Sequence, residues 1–187
     1  MEDEQIIGLY WSRNEGAIRA SEDKYGAYCR AIAMNILSSI PDAEESVNDT
    51  WLGAWNAIPP QRPAILSAFF GAITRRISLN RRRDARTQKR GGGQAELALD
   101  ELSEIVPASS SVEEAIEEKE LAGAVDAFLR TLPETERRVF LRRYWYLDSI
   151  SDIARRFGFS ESKTKSMLHR CRGKLLSHLR KGGYISI

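Results

Sequence analysis

Cysteine and histidine are scarce, with 2 of each in 187 residues. Cys29 and Cys171 lie far apart inside helix-like stretches, so neither a disulfide framework nor a zinc cluster fits, and both thiols are expected to be reduced. Long apolar runs are lacking too. None approaches the roughly 18 residues a membrane span requires, and the opening Met1-Glu2-Asp3-Glu4-Gln5 is acidic where a secretory leader would be basic. A cytosolic protein with no membrane insertion is expected. Before residue 90 there are no alternating Val, Ile and Thr runs and no Asn-Gly hairpin signal, which excludes a sheet-based first half. What is present is the composition of a globular chain, 42% hydrophobic and 29% charged, enough to bury real cores.

Net charge is only +2, yet the 28 basic and 26 acidic residues are sorted along the chain. Up to Ile58 there are ten acidic and four basic residues, with Asp42, Glu44, Glu45 and Asp49 crowded together. From Arg75 to Arg90 the balance reverses, with eight basic residues against Asp84 alone. From Asp100 to Glu120 eight acids face Lys119, and from Arg155 to Lys181 nine basic residues face Glu161. One basic block is commonly a solvated helix face. Two on separate modules point to a nucleic acid gripped in two places, because neutralising phosphates releases counterions. A membrane surface is the competing partner, but neither block is interleaved with the exposed Trp, Phe and Leu of an interfacial helix.

Gly91-Gly92-Gly93 and the stretch from Pro107 to Ser111 interrupt helical patterning. They divide the chain into a first domain over residues 1–90, an acidic linker over 91–117 and a second domain over 118–187. Helices are expected at about 3–20, 23–39, 42–57 and 64–88, then at about 113–130, 134–146, 149–157 and 161–180, an all-α protein of two small helical domains. Pro41 reads as a break with Asp42 as the following N-cap, and Pro59, Pro60 and Pro63 impose a stiff loop. Ala43, Val47, Trp51, Ala54, Trp55 and Ile58 recur at helical steps and build one apolar stripe, with Glu45 and Asp49 on the opposite flank. In the linker, Leu97, Leu99, Leu102 and Ile105 have the spacing of a short amphipathic helix.

The most specific feature runs from Ser149 to Leu179. Ile150, Ile153, Ala154 and Phe157 form the buried face of a short helix. Gly158-Phe159 makes a tight turn, and Ser160 caps a second helix that carries Leu168, Cys171, Leu175 and Leu179 inward. This is a helix-turn-helix pattern, in which the early residues of the second helix enter the major groove. Lys163, Lys165, Ser166, His169 and Arg170 are left on its outer face. Arg170 and Lys165 are the best base readers, and Arg172 and Lys174 are expected to contact phosphates. His169 and Cys171 point in different directions on a helix, so no metal site is expected there, and Cys171 is read as a small core residue.

The run Leu132-Pro133-Glu134, then Arg137-Arg138-Val139-Phe140, Ser149-Ile150-Ser151-Asp152-Ile153-Ala154 and the segment from Ser160 to Arg172 resembles the C-terminal DNA-binding domain of bacterial RNA polymerase sigma factors. It is most similar to the small two-domain, extracytoplasmic-function type. In the first half, Asp42-Ala43-Glu44-Glu45, Asn48-Asp49-Thr50-Trp51-Leu52 and Ala54-Trp55 are similar to that family's core-polymerase-binding helix.

The resemblance implies a factor with no catalytic site and no cofactor, whose partners are core RNA polymerase and promoter DNA, with an anti-sigma factor as a further possible partner. It assigns Glu45, Asn48, Asp49 and Trp51 to the polymerase and the helix after Ser160 to the promoter -35 element. The fourth helix then faces the -10 element. Many relatives have Ala-Arg-Asn there, with an Asp four residues after that Asn, where this chain has Thr74-Arg75-Arg76 and Asn80; Arg75, Arg76, Asn80, Arg82 and Arg83 are candidates for backbone grip and strand capture. The acidic linker reads either as a solvated spacer or as a segment that lies in a basic polymerase channel. The alternative function is a stand-alone helix-turn-helix regulator that dimerises and binds a palindrome without polymerase. A recombinase would need a catalytic domain on a mixed fold.

Overall fold

The computed structural model describes residues 1–86, 94–103, 105 and 114–185. Among them are nine helices and no strand, the all-α class the sequence implies. The chain divides into two compact units, Met1–Gly93 and Gln94–Ile187.

The first unit contains α1 (Asp3–Trp11), α2 (Gly16–Leu37), α3 (Ile40–Ala57) and α4 (Leu66–Arg86), and α2, α3 and α4 pack on one another. The first helix does not run on to residue 20 as the pattern suggests. Arg13 takes a left-handed φ of 54°, and Asn14 Oδ1 accepts the Gly16 amide at 2.8 Å. A short polar side chain thus satisfies the backbone in place of the helical ladder. Nor does Pro41 break the chain: it lies in the first turn of α3, where a missing N–H costs nothing, and the N-cap position belongs to Ser39 rather than Asp42.

Ala43, Val47, Trp51, Ala54 and Ile58 are all buried, as their spacing requires. Val47, Trp51, Ala54 and Ile58 share one core with Ile6, Ile7 and Tyr10 of α1, Cys29 of α2, and Leu66, Phe70 and Ile73 of α4. Phe70 is the hub. Its ring centre lies 5.1 Å from Trp51 in an edge-on arrangement, 5.4 Å from Tyr25 and 6.4 Å from Tyr10, geometries that suit aromatic quadrupoles. The Thr50 and Thr74 hydroxyls lie 3.0 Å apart inside the unit, linking α3 to α4, and each also reaches a carbonyl one turn back.

The second unit contains α5 (Gln94–Ser103), α6 (Glu114–Thr131), α7 (Glu134–Tyr144), α8 (Ile150–Phe157) and α9 (Glu161–Lys181). α5 falls within the stretch read as linker, yet it packs against α7, with Ala98 and Ile105 buried. Residues 91–93, 104 and 106–113 of that stretch, and Lys89 and Arg90 of the first basic block, lie outside the described residues. α8 and α9 form the helix-turn-helix. Ser149 and Ser160 cap them, each accepting from the backbone N–H three residues on at 3.1 Å. Gly158 between them takes φ 65° with left-handed geometry, a conformation glycine adopts without steric cost. The inward faces contribute Ile153, Ala154, Met167, Leu168, Cys171, Leu175 and Leu179, which close on Phe128, Val139, Phe140 and Tyr144.

Because Phe70 is fully buried among four other rings, those of Tyr10, Tyr25, Trp51 and Phe69, Phe70→Ala is expected to destabilise the first unit by about 3–5 kcal/mol. Urea unfolding followed by tryptophan fluorescence measures this, since Trp11, Trp51 and Trp55 all report from that unit. A loss below about 1 kcal/mol would mean that the hub is replaceable.

Candidate nucleic-acid interface

α9 is divided lengthwise. Thr164, Met167, Leu168, Cys171, Leu175 and Leu179 are buried, whereas Lys163, Lys165, Ser166, His169 and Arg170 are exposed. The five outer-face residues named from the sequence are therefore brought together on one solvent-facing side, starting at the capped end of the helix. Helix N-termini carry partial positive charge, which adds to the two lysines. Lys163 is held by more than its backbone: its ammonium lies 3.8 Å from the centre of the Phe159 ring, and Phe159 stacks on Phe157 at 5.9 Å. Such cation–π contact orients a cation without neutralising it. Lys165 has only a loose 3.9 Å approach to Glu161.

The two residues expected on phosphates are placed differently. Arg172 is turned into the unit, donating to Glu101 Oε2 at 2.9 Å and to the Tyr144 hydroxyl at 2.7 Å. Its side chain keeps only 19% exposure, so it does not stand with the outer-face cations. Lys174 is half-exposed and donates to Glu136 Oε2 at 2.8 Å. That hydrogen bond holds the Glu136 carboxyl below and the Lys174 ammonium above their usual ranges.

On α4, Arg76, Asn80 and Arg83 are exposed. Their four- and three-residue spacing puts them on one face. Arg75 and Arg82 are only half-exposed, and burial lowers the Arg75 pKa. Thr74 is buried against Thr50, so of the three positions that depart from the family pattern it faces the core, while Arg76 and Asn80 are exposed. Phe70 is core as well.

The proposed polymerase contacts separate in the same way. Trp51 is 4% exposed, and its indole N–H donates to Glu22 Oε2 at 2.7 Å; the apolar stripe of α3 turns it inward, and it is also among the residues that line the groove between α2 and α3. Glu45 and Asp49 both accept from Arg81 of α4, at 2.6 Å and 2.5 Å. These bonds hold the Glu45 carboxyl below its usual range and the Arg81 guanidinium above its own. Asn48 is exposed. It lines an open groove of about 910 Å³ between α2 and α3 together with Ile18, Glu44, Leu52 and Trp55. Leu52, 58% exposed, and Ile18, 36% exposed, were not picked out as contacts from the sequence. The available signal was Leu52's position: it is a large apolar residue lying off the buried stripe of its own helix.

No helix among the described residues is long and apolar enough to cross a membrane, and no group of three or more His, Cys, Asp and Glu among them is arranged to hold a metal ion.

A family model described as Sigma-70 region 2 matches residues 23–88, and one described as Sigma-70, region 4 matches residues 122–175. Together the two matched segments take in well over half of the chain, one in each compact unit. No curated protein matches it. The chain belongs to the sigma-70 family, as a sigma factor of two small domains like those of the extracytoplasmic-function type. A protein of this family binds core RNA polymerase and directs promoter-specific transcription initiation, and that is the function of this chain. The family is not enzymatic.

Cys29 and Cys171 are fully buried, and burial pushes each thiol up to about 11. Near neutral pH both stay protonated, with about 100-fold less thiolate than an ordinary cysteine. Iodoacetamide labelling read by mass spectrometry is expected to be at least that much slower at both positions in the native protein than in guanidinium. Rapid native labelling of Cys171 would show that α9 does not sit on its core as described.

Proposed function

We propose that the outer face of α9, through Lys163, Lys165, Ser166, His169 and Arg170, reads the promoter -35 element, and that Arg76, Asn80 and Arg83 of α4 grip DNA at the -10 element. The observation that carries this reading is the lengthwise division of α9, whose apolar side is spent on its own core while a compact set of hydrogen-bonding side chains stays in water. Arg170 and Lys165 reach base edges from there, and each good bidentate contact gives about 1–3 kcal/mol of discrimination. Lys174 contributes less than its charge suggests, since Glu136 already holds it.

The α2–α3 groove is the surface that docks on core polymerase. Glu44, Asn48 and Leu52 follow one another at four-residue steps along its edge, and the apolar Leu52 and Ile18 supply contact area that a paired Glu45 and Asp49 do not. The protein acts in the cytoplasm, as a binding factor without a catalytic centre, and an anti-sigma factor that covers the groove or the outer face of α9 would silence it.

Two measurements test the reading. With purified core polymerase, Leu52→Arg is expected to weaken co-elution at least about tenfold, because it places a charge in an apolar contact centre, while leaving helix content unchanged. Undiminished association would move the docking surface elsewhere. On a set of promoter fragments, Arg170→Ala is expected to flatten sequence preference, whereas Arg83→Ala should weaken binding to all fragments alike and lower the salt slope by about 1. Equal loss of preference from both would mean that the faces are wrongly assigned. A stand-alone regulator would bind its fragments as a dimer with no need of core.

A further inference from the structure

α5 lies outside both segments that match the family models, in a stretch whose acidity reads from the sequence either as that of a solvated spacer or as that of a segment lying in a basic polymerase channel. Its Glu101 is nevertheless the centre of a four-residue polar cluster. Oε1 accepts from Arg143 Nη2 of α7 at 2.7 Å, and Oε2 accepts from the Tyr144 hydroxyl at 2.9 Å and from Arg172 Nη1 of α9 at 2.9 Å. Arg172 Nη1 also donates to the Tyr144 hydroxyl at 2.7 Å, closing the ring of contacts. Arg143 is 1% exposed, so its charge needs a partner inside the protein. Arg143 Nη1 also donates to the Asp148 carbonyl at 3.1 Å.

We infer that α5 is a working part of the DNA-binding unit and that Glu101 is a positioning residue for promoter binding: it ties the recognition helix to α7 through Arg172 and withdraws that arginine's charge from the DNA backbone. The inference rests on the reading of α9 as the DNA-facing helix. Arg172 lies seven residues beyond Lys165, two turns along nearly the same side of α9, so without a carboxylate partner it would flank the outer face as one more phosphate contact. Glu101 therefore reduces the number of phosphates the helix can neutralise, and binding depends more on the residues that read bases and less on bulk charge.

Counterion release gives a readout that a merely structural role would not move. Each phosphate contact contributes about 0.9 to the slope of log K against log salt. The full-length chain and its variants are titrated with a labelled mixed-sequence duplex a few turns long, over a range of salt. Glu101→Gln, which keeps the shape and an acceptor oxygen but removes the charge, is expected to steepen the slope by about 0.9 and tighten binding at low salt. Arg172→Ala in the parent chain is expected to leave the slope unchanged, and in the Glu101→Gln background to abolish the gain. Should either variant loosen the fold, as circular dichroism would reveal, Glu101→Asp carries the test, since it keeps a carboxylate for Arg143 while shortening the reach to Arg172 and Tyr144; a slope steeper than the parent's is again expected. An unchanged slope in a folded Glu101→Gln or, where that variant does not fold, in Glu101→Asp, or a flatter one in a folded Arg172→Ala, overturns the inference. Lys165→Ala and Arg170→Ala separate it from the reading beneath it: if neither weakens duplex binding, the assignment of the outer face fails, whatever Glu101 does.

Discussion

A charge withdrawn from water has to meet an opposite charge, and that requirement sorts the cations of this protein into two populations. Arg81, Arg142, Arg143 and Arg172 turn toward the protein and are met by Glu45 and Asp49, by Asp148, and by Glu101. Arg76, Arg83, Lys163, Lys165 and Arg170 remain in water. The second population is the one that has charge to offer phosphate. A net charge of +2 says almost nothing about affinity for nucleic acid, because what counts is which cations the fold leaves outside and whether they share a face. The first population is costly to disturb. Removing the carboxylate from a guanidinium as buried as that of Arg143 is the kind of change that costs about 3–5 kcal/mol.

Periodicity made much of this legible. The apolar stripe of α3, the capped pair α8 and α9 with Gly158 between them, and the outer face of α9 all follow from three- and four-residue spacing and from side chains with one plausible role. Spacing failed where a local hydrogen bond outweighed propensity. Asn14 satisfies the Gly16 amide and ends a pattern that otherwise runs through to residue 20, and Pro41 is absorbed into a first helical turn. It failed again where a residue has two defensible roles. Trp51 belongs to a buried stripe and is also an aromatic beside acids, and the structure gives it both contact with Phe70 and Glu22 and a place in the groove lining. Arg172 fits a phosphate contact until its partner is known. That partner, Glu101, is 71 residues away, beyond the reach of any local pattern.

The same reasoning explains why the acids of α3 are poor candidates for direct docking even though their helix carries the family resemblance. On α4, Thr74 and Arg81 are seven residues apart and so lie on one side of the helix, about two turns from each other. Thr74 meets Thr50, and Arg81 meets Glu45 and Asp49, so two polar links at different heights fix the rotation of α4 on α3. Arg76, Asn80 and Arg83 then have no choice of face: relative to Thr74 they fall close to half a turn away, on the solvent side. The acids of α3 aim the basic helix. With Glu45 and Asp49 committed to that task, the proposed docking surface draws on side chains the internal network does not use. Leu52 is such a side chain: with Ile40 it is one of two large apolar residues that α3 leaves exposed, and unlike Ile40 it lines the α2–α3 groove.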